Sequence, residues 1–91
     1  LSALDANTTG GSNTAVGAGA LGAHTGGNRN TAVGKNSLAT STTGADNIAI
    51  GFDALNDLTT GHSNVAIGGY AMDALTTGDS NVAVGHQAHL N

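Results

Sequence analysis

The chain has 91 residues with one Phe, one Tyr and one Met, and no Trp, Pro or Cys, so it is short of the large apolar side chains from which a domain of this length builds a core. Its net charge of −4, six Asp against Arg29 and Lys35, leaves no basic patch for nucleic acid, and no apolar run nears the ~20 residues of a membrane-crossing helix, which excludes direct membrane insertion by that route. Fifteen Gly without Pro or a Gly-X-Y period exclude collagen.

In chain order, residues 1–7 read as a partial coil carrying Ala3 and Leu4, followed by coils over 8–24, 25–41, 42–58, 59–75 and 76–91 of one repeat domain, a fragment of a longer array. The register is set by Asn-(Thr/Ile/Val)-Ala-(Val/Ile)-Gly, which begins at Asn13, Asn30, Asn47, Asn64 and Asn81, always 17 residues apart. A chain that winds on itself brings the same residue type to the same place once per turn. The period therefore predicts an all-β fold, a parallel β-solenoid of 17-residue coils with one strand per pentapeptide.

Each column implies a job. Thr14, Thr31, Ile48, Val65 and Val82 share a strand face with Val16, Val33, Ile50, Ile67 and Val84, the expected core. The alternate column, Ala15, Ala32, Ala49, Ala66 and Ala83, admits only a methyl and is expected to be a close-packed interface with another chain. Two Gly columns, one ending each strand and one beginning at Gly10, mark corners where φ is positive or backbones pass closely. Ala20-Leu21, Ser37-Leu38, Ala54-Leu55 and Ala71-Met72 predict a second short strand or turn that adds Leu or Met to the core; Ala88-His89 breaks the series. Asn13, Asn30, Asn47, Asn64 and Asn81 are expected to form a structural ladder of stacked amides.

The variable columns carry charge and the two aromatics, so Phe52, Asp53, Tyr70, Lys35 and Asn36 are the candidate receptor-facing residues. No catalytic, cofactor-binding or metal-binding set repeats with the coil, so neither an enzyme nor a cofactor is expected. Gly17-Ala18-Gly19-Ala20-Leu21-Gly22 matches G-x-G-x-x-G, but the equivalent coils carry Lys35-Asn36 and Phe52-Asp53 and no βαβ unit follows. A calcium β-roll needs an acidic residue in nearly every coil, and ahead of the Asn only Asp46 and Asp79 supply one. His24, His62 and His86 read as surface side chains; His86 and His89 on a threefold axis would be needed for a metal or anion site. Asn7-Thr8-Thr9 is a glycosylation sequon of the kind expected by chance in this composition.

Ser63-Asn64-Val65-Ala66-Ile67-Gly68 resembles the N-S-V-A-I-G-x-x-S signature of the head repeats in YadA-type trimeric autotransporter adhesins, with Ser and Asn exchanged and with Ser37 matching the final Ser in its own coil. The wider unit, T-T-G-x-x-N-T-A-V-G-x-x-A-L, is similar to phage tail-fibre repeats. The resemblance implies a left-handed β-roll, a side-by-side homotrimer, and a place on a bacterial cell surface or virion fibre. It further implies an attachment module whose partner is a host receptor, matrix protein or glycan. A purely structural spacer is the alternative. Ice binding, suggested by the doubled Thr8-Thr9, Thr42-Thr43, Thr59-Thr60 and Thr76-Thr77, lacks both T-x-T spacing and a strand context, and Gly26 interrupts the series.

Overall fold

In the computed structural model, residues 11–23 and 26–88 are described. Five three-residue strands, β1 (Thr14–Val16), β2 (Thr31–Val33), β3 (Ile48–Ile50), β4 (Val65–Ile67) and β5 (Val82–Val84), form one parallel sheet in sequence order. Pairing is in strict register: Ala15 lies beside Ala32, Ala32 beside Ala49, Ala49 beside Ala66 and Ala66 beside Ala83. Each strand reaches its neighbour after one circuit of the chain. The molecule is a β-solenoid, and the pentapeptide is its only strand-forming wall among the described residues.

The opposite wall is built from turns. Leu21, Leu38, Leu55 and Met72 project from it into the interior, at 0, 0, 0 and 2% exposure, and pack with Ala32, Ala49, Ala66 and Ala83. The Ala-Leu segments that could have been a second strand are therefore turns, although their Leu and Met do join the core.

The expected orientation of the strand is reversed. Ala32, Ala49 and Ala66 are fully buried within their own chain, whereas Val16 (57%), Ile50 (38%) and Val84 (67%) stand exposed on the outer face. The physical reason is the width of the coil. One Leu from the turn wall, supplemented by Leu58 or Leu75, fills the lumen, and the facing strand has room for a methyl only. The Ala column is thus the inner wall of each coil and makes no contact face for another chain. The Thr/Ile/Val columns are not the core.

Corner geometry is set by residues with positive φ, and most of these are not glycine. In successive coils Arg29, Asp46, Ser63 and Ser80 (φ 59 to 61°), Asn36, Asp53, Tyr70 and Gln87 (φ 57 to 61°), and Leu21, Leu38, Leu55 and Met72 (φ 47 to 51°) all lie in the left-handed region. For a bulky residue such as Leu this region is costly, by about 1–2 kcal/mol. What offsets it is a hydrogen bond along the solenoid axis. The Leu38 N–H donates to the Ala54 carbonyl (3.0 Å), that of Tyr70 to Phe52 (2.8 Å) and that of Asp46 to Asn28 (3.1 Å).

The two Gly columns serve different needs. Gly51 has φ +131°, and a Cβ there would sit 2.6 Å from the carbonyl carbon and oxygen of Gly68 in the next coil. Gly61 has no positive φ. A Cβ on it would run into the Gly78 carbonyl oxygen, so it is required by close approach alone.

Candidate interaction surfaces

The Asn side chains lie inside the coil, and Asn30, Asn47 and Asn64 are fully buried. Asn47 shows how such a buried amide is satisfied. Its Oδ1 accepts from both the backbone N–H (3.0 Å) and Nδ2 (3.1 Å) of Asn64, while its own Nδ2 donates to the Gly61 carbonyl (2.9 Å) and to Asn30 Oδ1 (3.2 Å). The same bonds link Asn13 to Asn30, Asn30 to Asn47 and Asn64 to Asn81. These amides hold coil to coil, and being buried they are not available to a ligand.

Two accessible surfaces stand out among the described residues. The first is the outer face of the sheet. Because side chains at alternate strand positions share a face, the column of Thr14, Thr31, Ile48, Val65 and Val82 runs beside that of Val16, Val33, Ile50, Ile67 and Val84. Val16, Ile48, Ile50, Ile67, Val82 and Val84 are each at least 37% exposed, which leaves a stripe of β-branched apolar side chains along the solenoid. This stripe is apolar surface that the single chain leaves uncovered.

The second is the corner that follows the strand. Phe52 (41% exposed) and Tyr70 pack edge to face, with ring centroids 5.3 Å apart, and Tyr70 meets His86 in the same way at 6.0 Å. Gly69 occupies the position between Phe52 and His86 in their column, so Tyr70, from the adjacent column, bridges rings two coils apart. Of the expected receptor-facing residues, the fold thus joins Phe52 and Tyr70 directly. Asp53 and Asn36 share the Tyr70 column, and Lys35 shares that of Phe52. Lys35 is exposed, but Asn36 and Asp53 are half-buried, and Asp53 Oδ1 is buried with no hydrogen-bond partner.

His86 was expected only as a solvated histidine or a possible metal ligand. Its place in the aromatic row is not visible in any single column of the repeat, because the row crosses two columns. Leu58 was also missed, although Leu58 and Leu75 stand 17 residues apart and occupy one inward column with buried Ser41. Among the described residues no three His, Cys, Asp or Glu side chains are grouped so as to hold a metal ion. His24, His89 and the Asn7 sequon lie outside the described residues.

Charge lies elsewhere on the surface. Arg29 grips Asp46 one coil on with two hydrogen bonds, from Nε to Oδ1 (2.6 Å) and from its terminal nitrogen to Oδ2 (3.0 Å). Hydrogen bonding to Arg29 holds the Asp46 carboxyl below its usual range, and Asp46 in turn raises the guanidinium. No family model, curated protein or solved structure matches the chain.

Proposed function

We propose that this chain is a non-catalytic attachment module, the head or shaft segment of a trimeric surface adhesin or phage tail fibre, in which copies pack side by side through the outer face of the sheet. The observation that carries the reading is the exposed Val/Ile stripe from Val16 to Val84. Each such side chain, about 37–67% exposed, leaves roughly 0.5–2 kcal/mol of burial unrealised in water. A rigid, in-register sheet presents them all at once, so a second copy of the same face gains along the whole length.

The left-handed sense of the coil and the number three rest on the resemblance to adhesin heads and tail fibres, as does a cell-surface or virion location. The mass of the full chain at micromolar concentration tests the assembly. A trimer that dissociates when Ile50 and Ile67 are both replaced by Ser is expected. A folded monomer overturns the reading.

Contact with a host receptor, matrix protein or glycan falls to the corner bearing Phe52, Tyr70 and Lys35, which follows the strand in each coil. A structural spacer is the rival, since an array of identical coils sets a length without binding anything. Binding to host cells or matrix that drops when Phe52 and Tyr70 are replaced by Ala favours attachment. Binding that is absent, or unchanged by those substitutions, favours the spacer. Ice binding gains nothing from the doubled threonines: Thr42-Thr43, Thr59-Thr60 and Thr76-Thr77 lie outside the strands, and the Thr59 hydroxyl is turned to the Thr76 carbonyl (3.2 Å).

A further inference from the structure

One column that precedes the Asn by two residues has a role of its own. Gly11, Asn28, Ala45, His62 and Asp79 occupy it in successive coils. Where the side chain can accept, it caps the backbone N–H of the same column one coil earlier. Asn28 Oδ1 accepts from the Gly11 N–H (2.7 Å), His62 Nδ1 from the Ala45 N–H (3.0 Å) and Asp79 Oδ1 from the His62 N–H (2.8 Å). Asn, His and Asp are interchangeable here because each places an acceptor at the same reach from its Cα.

His62 differs from the other two in one respect: its acceptor can be removed by a proton. An imidazole nitrogen that accepts from an N–H carries no hydrogen, so the ring must be the neutral tautomer with its proton on Nε2. We infer that His62 is a proton-operated link between adjacent coils, closed by its neutral ring and opened when the ring gains a second proton. Protonated Nδ1 would then point a donor at the Ala45 donor, and the contact turns from bond to repulsion.

The groups around the ring give the cation somewhere to go. Asp79 lies one coil on, bonded to the His62 backbone. On the other side Asp46 is near enough for His62 to favour its ionised form, and Asp46 already holds Arg29. Hydrogen bonding to Arg29 keeps the Asp46 carboxyl below its usual range, so it stays ionised in mild acid. Acid therefore removes the backbone cap and leaves a cation in the neighbourhood of two carboxylates. The Ala45 amide is left to water.

The test is amide hydrogen exchange on the full chain, expressed as protection relative to the intrinsic rate at each pH, between about pH 8 and about pH 4.5, values on either side of the range in which a histidine side chain ordinarily changes charge. The expected result is a roughly three- to tenfold loss of Ala45 protection in acid, the size of one hydrogen bond. The amide of Ile48, bonded within the sheet to the Asn64 carbonyl, should hold its protection throughout. His62→Asn, which copies the acceptor of Asn28, should protect Ala45 equally at both pH values. Nitrogen chemical shifts of the ring should give the Nε2–H tautomer at the upper pH. Ala45 protection that does not change with pH, an Nδ1–H tautomer, or a parallel acid loss at Ile48 would overturn the inference.

Discussion

The two faces of each strand reverse the sizes that their surroundings would lead one to expect. The inner face, fully buried at β2, β3 and β4, is a single methyl per coil, while the outer face, open to solvent, holds Ile and Val. In an ordinary half-buried sheet the larger apolar groups turn inward. Here the inside is already filled by Leu21, Leu38, Leu55 and Met72 from the facing wall, so steric room and not hydrophobicity assigns the face. Apolar side chains displaced outward in this way remain as surface that the single chain does not cover.

That contrast can be broken by substitution, and the largest effect belongs to the interior. Asn47→Ala strips partners from the Gly61 carbonyl and from the Asn64 N–H and side-chain amide, each a buried group. A loss of about 3–5 kcal/mol, read by chemical denaturation, is expected from leaving such groups unpaired. Ala49→Leu follows, because it adds three carbons to a lumen with no space for them; about 1–3 kcal/mol is expected in the same measurement. If Ala49→Leu is tolerated without loss, the narrow-lumen account of the two faces fails.

Ile50→Ser, on the same strand and one residue away, sharpens the contrast from outside. The stability of the isolated chain should change by less than ~0.5 kcal/mol, as at other surface positions, while self-association measured by sedimentation weakens. The smallest effect is expected at the Arg29–Asp46 pair, which is exposed and screened by salt. The folded Asp46 carboxyl is held below its unfolded value, so whatever it contributes is present above the ordinary carboxylate range and fades as pH falls through the folded value. Asp46→Asn should flatten that acid-side slope in a pH series of melting temperatures and leave the rest unchanged.

Much of this was legible from the period alone. A repeat of 17 residues with a fixed Asn, Ala and Gly already implies stacked coils, parallel strands and aligned amides. Which strand face turns inward was not legible, because alternation gives two faces but not the volume of the wall opposite Ala49. Left-handed φ at Leu38, Leu55 and Met72 was equally hidden. Propensity assigns such angles to Gly or Asn, and only the axial hydrogen bonds to Ala54, Ala71 and Ala88 explain Leu and Met there. The contact of Phe52 and Tyr70 was suggested by their adjacent coils, but the third ring, His86, depended on how far a side chain leans across Gly69.

The buried amides also give the molecule a direction. Asn30 Oδ1 is met by Asn47, Asn47 Oδ1 by Asn64, and Asn64 Oδ1 by Asn81, so in every case the acceptor belongs to the earlier residue and the donors to the later one. Through Nδ2 the same amides reach the opposite way, as from Asn47 to the Gly61 carbonyl, so each coil offers its follower both an acceptor and a donor. Every coil boundary is thus fastened from both sides, and cutting it at one amide leaves groups unmet in both coils.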